Sequence, residues 1–364
     1  MKKFTFTIIF MLAIFGLSIN SFATVWTVSN RSDKPAQFSN IQAADNAALP
    51  GDTVLIAGSA TTYSYGNLII DRSLTLIGEG CNNPNGYNTT IDWYGPSLTN
   101  VNGTFGASNT KFYGIAFNYT VNLYGNFTGQ GSGQNTLSNI TFERCAFWAG
   151  NSIAFSGQIY NNITFRNCVF TGYIYVQNPS SMTNILVTNC VFSNSGNISL
   201  NSDNGMNMNG QFFIRNCVFL NRVGNVFSMA GMVVENCIFY AAQPTGASSS
   251  TFNNNITYFN NNVGLPYGNN AGSGNLNNVN PNFVNYPLLG ANFAWAQNFG
   301  LVAGSPAIGT GTNSTNIGLT GGNSPCTQIQ GNSKMPIVTS VTVPVSSVPV
   351  GGTLQINIKA NTRK

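Results

Sequence analysis

Between Ile140 and Phe239 the hydrophobic and polar positions fall into one eight-residue phrase that occurs five times. The copies are Ile140 to Phe147 (ITFERCAF), Ile163 to Phe170 (ITFRNCVF), Ile185 to Phe192 (ILVTNCVF), Phe212 to Phe219 (FFIRNCVF) and Met232 to Phe239 (MVVENCIF). Their cysteines, Cys145, Cys168, Cys190, Cys217 and Cys237, lie 23, 22, 27 and 20 residues apart. Each phrase alternates apolar and polar over its first half, a strand period rather than a helix period. Self-similarity at roughly 20–30 residues is the mark of a solenoid, so one turn of a β-coil per repeat is predicted.

The columns of the alignment assign a direction to each side chain. Five and three positions before the cysteine stand apolar residues that share one strand face, since i and i+2 point the same way. Two positions before it, Glu143, Arg166, Thr188, Arg215 and Glu235 form an outward column. Directly before it come Arg144, Asn167, Asn189, Asn216 and Asn236. Asparagine tolerates the left-handed backbone of a tight bend, so the strand is expected to turn there. The cysteine and the phenylalanine two residues later are then the inward pair of the next short strand. A further strand follows each phrase, in which Ile153, Ile174, Ile198 and Val226 align as an inward column. Stacked coils bring like residues together at about 4.8 Å, pairing every main-chain group with the next coil. Ladders of Ile, Phe and Cys are expected, and Asn ladders can hydrogen-bond along the axis.

The fold class this predicts is all-β: a single-stranded right-handed parallel β-helix, a solenoid with a short N-terminal capping helix. At this point the chain resembles the pectin-lyase-like β-helix proteins, of the kind exported by gut-type bacteria. The resemblance extends to Phe38 to Gly80, similar to the opening of such proteins, where a short amphipathic helix covers the first coil. It also takes in Asn280 to Asn285 and Gly304 to Gly322, similar to their closing segment. A shared fold does not carry a shared function.

Lys2 and Lys3, the apolar run Ile8 to Leu17 and Ser21-Phe22-Ala23 read residues 1–23 as a secretory signal. The run is short for a membrane span, and with no cysteine before Cys81 there is no residue to acylate. The expectation is an exported protein in the periplasm, at the cell surface or outside the cell. Residues 24–334 would form the β-helix as one elongated, monomeric domain. Residues 335–364, two β-rich runs around Val350-Gly351-Gly352, would form a β-rich cap or tail.

Charged residues are only 6% of the chain, there is no histidine, and the net charge of +5 includes the two signal lysines. No basic stripe for phosphates appears, so nucleic acid is not an expected partner. Seven cysteines in an exported protein prompt a disulfide search. The five at one repeat position would stack with parallel Cβ vectors, which suits buried thiols better than bonds; the pairing of Cys81 and Cys326 stays open.

The resemblance implies cleavage of acidic polysaccharide, using clustered Asp for Ca²⁺ and a basic residue as base. From Lys111 to Val263 the acidic residues are Glu143, Asp203 and Glu235 alone. Calcium wants several oxygen ligands, and Asp203 by itself reads as a solvated turn residue. Glu143 and Glu235 share a column four coils apart, about 19 Å, beyond the separation two glycosidase carboxylates need. Arg166, Arg215 and Arg222 are conceivable bases, but the first two alternate with glutamates in a surface column. No catalytic residue, metal or cofactor is therefore assigned.

Binding is the remaining chemistry. In the second strand the outward column reads Ala154, Tyr175, Ser199 and Phe227, and its neighbour Ser152, Tyr173, Asn197 and Asn225. Aromatic faces stack on sugars and amides read hydroxyls, so Tyr173, Tyr175, Phe227, Asn197 and Asn225 are the candidate glycan platform. Trp93, Tyr94 and Trp148 are further candidates. The functional expectation is a non-catalytic protein that binds a polysaccharide or other glycan, or acts as a surface scaffold. A divergent polysaccharide lyase and an adhesin-like module are the alternatives.

Overall fold

The structure is a computed structural model. It describes residues 23–361 apart from 65–67, 84, 93–96, 99, 102–104, 125–135, 149, 157–158, 178–180, 194–199, 203–205, 260–262, 287–292, 332–336 and 343–355. The secretory-signal reading of residues 1–22 therefore lies outside the described residues.

Strands of successive coils stack in parallel into three long sheets. Sheet one has ten strands, from Val25–Val28 to Thr251–Asn253, and contains the first half of every phrase. Sheet two has nine, built from the Cys-to-Phe halves, and sheet three has seven, from Ile69–Ile70 to Phe227–Ser228. Glu143 stands opposite Arg166, Arg166 opposite Thr188, Thr188 opposite Arg215 and Arg215 opposite Glu235, the column read from the sequence. The chain is an all-β parallel β-helix.

The interior follows from like stacking on like. Phe117, Phe147, Phe170, Phe192, Phe219 and Phe239 form a stack with centroids 4.7–5.2 Å apart, each ring nearly parallel to the next. Phe112, Phe142 and Phe165 make a second one. Such pairs contribute roughly 0.5–1.5 kcal/mol each beyond their area burial.

The five ladder cysteines are fully buried, and all seven cysteines are unpaired. Each ladder thiol faces carbonyls, as Cys190 does the oxygens of Thr188 at 3.2 Å and Phe165 at 3.6 Å. Only a protonated sulfur can donate there. Burial pushes the Cys145, Cys190 and Cys237 thiols well above the usual range.

The bend works as the sequence predicts. Arg144, Asn167, Asn189, Asn216 and Asn236 have φ between 51° and 55°, the left-handed region. A second asparagine column was not read from the sequence. Asn109, Asn139, Asn162 and Asn184 also have positive φ, the last three at a corner inside the long strands of sheet one and Asn109 in the turn before Lys111–Tyr113. Asn139 donates to Asn109, Asn162 to Asn139 and Asn184 to Asn162, at 2.7–3.1 Å. This is the axial amide ladder, on the exposed corner rather than at the bend before the cysteines.

At the N-terminal end a helix, Ile41–Ala47, is capped by the Asn40 side chain and buries Ile41 and Ala44. Gln42 bonds both main-chain groups of Ile69, fixing the helix to the first coils. Burial pushes the Asp45 carboxyl up to about 7. Near the C-terminus Ile337–Thr342 and Asn357–Asn361 pair antiparallel with each other.

Residues 283–286 and 293–331 return along the outside of sheet two as a strap. Val169, Val191, Val218 and Ile238 point outward from that sheet and form a second core with Phe299, Ala307, Ile317, Leu319 and Ile329 of the strap. The bend asparagines bind its main chain coil by coil. Asn216 donates to the Asn316 and Gly318 carbonyls, Asn189 to those of Leu319 and Gly321, and Asn167 to that of Ser324. At the far end Cys81 N donates to the Gly331 carbonyl. The approach is so close that a Cβ on Gly321 would lie 2.5 Å from Asn216 Nδ2.

Candidate glycan-binding face

The three sheets differ in what their outer faces offer. Sheet two is covered by the strap. On sheet one the charged column is largely self-neutralised: Arg215 Nε lies 2.9 Å from Glu235 Oε2, and Arg166 Nη1 is 3.8 Å from Glu143 Oε2. Sheet three carries Asn122, Ala154, Tyr175 and Ser228 on its outer face, each partly exposed. Tyr175 stands opposite Ala154 in one coil and Asn201 in the next, and Asn201 opposite Ser228.

Tyr173 and Tyr175 lie two apart on the strand Tyr173–Gln177 and so share its outer side. Their rings meet edge to face, centroids 6.3 Å apart at 89°. Both are half-buried, leaving ring surface in solvent. The inward neighbours Ile174 and Val176 are fully buried and anchor the strand.

The rest of the expected platform is revised. Phe227 is fully buried and packs edge to face against Phe219 and Phe239, so it belongs to the core. The inward column is Ile153, Ile174, Leu200 and Phe227, not one ending in Ile198 and Val226. Val226 is buried too, but at the corner, because the sheet-two strand Val218–Asn225 runs longer than its counterparts. In the last coil sheet three begins one residue later than counting predicts, and a one-residue slip moves Phe227 from the outer face to the inner one. Asn225 stands opposite Gln243 in sheet two, its Oδ1 accepting from Thr245 Oγ1 at 2.6 Å. Ser152 is buried beside a bulge that sets Asn151, rather than Ser152, opposite Tyr173.

Asn197, Trp93, Tyr94 and Asp203 lie outside the described residues, as does the side chain of Arg222. Trp148 is turned away from sheet three and packs edge to face on Trp295 at 6.0 Å.

Two hollows lie off this face. A cleft of about 210 Å³ between the bend and the strap is lined by Glu143, Arg144, Asn167, Cys326, Gln328 and Gln330 among others. Burial pushes the Cys326 thiol up to about 11. A larger groove of about 460 Å³ opens at the corner between sheets three and one, among Ser181, Met182, Met206 and Gln211. Among the described residues no group of three or more His, Cys, Asp or Glu side chains is placed to share a metal ion.

With this geometry in view, the chain can be set beside solved structures. Pectate lyase Pel9A superposes with a TM-score of 0.51 at 15% identity, over 86% of this chain and 97% of that one. The fold is that of the pectin-lyase-like right-handed β-helices. Pectin methylesterase from Aspergillus niger is more distant, with a TM-score of 0.34 at 17% identity over 70% and 87% of the two chains. No family model matches the chain, and no curated protein matches it. At these identities the likeness carries the β-helix and nothing about chemistry.

Proposed function

We propose that this protein is an exported, non-catalytic β-helix that binds a glycan chain along the outer face of sheet three. The observation that carries the reading is the Tyr173–Tyr175 ring pair on the one long face covered neither by the strap nor by paired charges. Ring faces stack on the apolar side of a sugar, and neighbouring amides read its hydroxyls. Successive coils set Asn122, Ala154, Tyr175 and Ser228 in one column at the inter-strand spacing, a line that suits a linear polymer. The export address and the polysaccharide partner belong to this proposal.

The non-catalytic part rests on where the carboxylates stand. Glu143 and Glu235 are four coils apart, and each is engaged by an arginine of its own column. Nothing favours the lyase alternative over binding. The test is a glycan array with the parent protein and a Tyr173→Ala/Tyr175→Ala variant. The parent should retain a linear glycan and the variant should lose it while melting at the same temperature. Equal retention, or release of unsaturated uronate from acidic polysaccharide, would refute the reading.

A further inference from the structure

Sheet one is interrupted between the strands Ser181–Thr188 and Asn207–Arg215. The strand Ser181–Thr188 pairs along its length with the coil before it, Ile159 opposite Ser181, Tyr160 opposite Met182 and Asn161 opposite Thr183. Toward the coil after it, pairing begins only at Ile185 opposite Phe212. The next strand, Asn207–Arg215, instead sets Asn207 opposite Ala230 one coil further on and bulges before Phe212. Asn209 (φ 49°) and Gly210 (φ 71°) both bend left-handed there. The cause is visible in the spacing: this coil, from Cys190 to Cys217, is the 27-residue one, the longest of the set. The coils part, and the groove of about 460 Å³ opens between them. That volume lies within the range of small-molecule sites.

The lining is specific in kind. Met182, Met206 and Met208 pack on the core and give the groove an apolar, adaptable floor. Ser181, Thr183, Asn207, Asn209 and Gln211 supply hydroxyls and amides, and among the described residues no charged side chain lines it. Among the described residues, positions 181–184 have no ladder partner in the following coil, so main-chain donors and acceptors also face the gap. Gln211 Oε1 meets one of them, accepting from Asn184 N at 3.3 Å. Asn207 is held in place, since Gly231 lacks the Cβ that would fall 1.9 Å from its Oδ1. The bulged far wall does not offer the straight edge an added peptide strand requires. A carboxylate entering the groove would lose its water without meeting a cation.

We infer that this groove seats one neutral sugar residue, its apolar face on the methionines and its hydroxyls on the amides and unpaired main chain. The inference rests on the glycan reading above and gives it a substrate class: a neutral chain, one residue held in the groove and the next units on Tyr173 and Tyr175. The strands Tyr173–Gln177 and Ser181–Thr188 follow one another in the chain, so the tyrosines and the groove belong to neighbouring parts of the coil path.

The test uses neutral hexasaccharides of glucose, mannose, xylose and galactose, with hexagalacturonate as the acidic comparison, in titration calorimetry. Ser181→Trp fills the groove from an exposed position, and Met182→Ala trims its floor. At least one neutral hexamer should bind about tenfold or more tighter than hexagalacturonate. Ser181→Trp should weaken it about tenfold or more at an unchanged melting temperature, and Met182→Ala should weaken it less. If Ser181→Trp binds as the parent does while Tyr173→Ala/Tyr175→Ala does not, the groove inference falls and the sheet-three reading stands. Loss in the groove variant alone keeps the groove and removes the tyrosine platform. Preference for hexagalacturonate, or selection of an extended peptide that competes at Ser181, overturns the inference.

Discussion

The outer faces of sheets two and three are made alike and end differently. Both belong to strands whose alternate residues fill the same core, and both repeat at each coil. On sheet two the outward residues are Val169, Val191, Val218 and Ile238, an apolar stripe that must be covered. On sheet three they are Asn122, Ala154, Tyr175 and Ser228, which can stay in water. The strap covers the first and leaves the second open. A β-helix therefore assigns its faces through the residues that point away from its core, and a returning segment follows the apolar stripe.

The covered face should be the more sensitive. Leu319→Ala removes a strap side chain buried against sheet two and should cost about 2–5 kcal/mol, read as a fall in melting temperature. Faster proteolysis within residues 283–331 would show that the strap itself loosens. Phe227→Ala sharpens the comparison from the other side. If Phe227 is core, as its burial shows, the loss should be about 3–5 kcal/mol, whereas a platform residue would affect binding alone.

Next in size comes the contrast between the two asparagine columns. Asn189→Ala deletes two buried hydrogen bonds, to the carbonyls of Leu319, which still accepts from Cys326 N, and of Gly321, which loses this donor; about 2–4 kcal/mol should be lost in denaturant unfolding. Asn162→Ala breaks two ladder bonds on an exposed corner, where water replaces them, so about 1 kcal/mol is expected, with the cost of a left-handed alanine common to both. Equal losses would mean that the strap adds nothing to its column. Smallest is Tyr175→Ala, expected to shift stability by less than about 0.5 kcal/mol and to be detected through glycan binding.

Much of this was legible along the chain. The alternation in ITFRNCVF assigned the faces of Ile163, Phe165, Cys168 and Phe170, because a strand's direction is a local property. The asparagine before each cysteine marked the bend, because a left-handed residue without glycine is usually asparagine. The outward column from Glu143 to Glu235 followed from both. The candidate site was legible only in part: Tyr173 and Tyr175 lie on the sheet-three strand read for them, Phe227 was misplaced, and Asn225 was set on the wrong sheet. Both errors of placement arise at corners, where coils of 20 to 27 residues take up their differences in length.

What the sequence by itself determined is the repeat, the inward ladders and the shortage of carboxylates, since each depends only on residue type and near neighbours. What the tertiary structure alone decided is which residue stands opposite which across a corner, where the coils part to form a groove, and that residues 283–286 and 293–331 lie on sheet two. Those depend on contacts between residues far apart in the chain, as Asn167 and Cys326 are, 159 positions apart, and Cys81 and Gly331. Nothing in a short window of sequence specifies them, because the partner surface exists only once the coils have stacked.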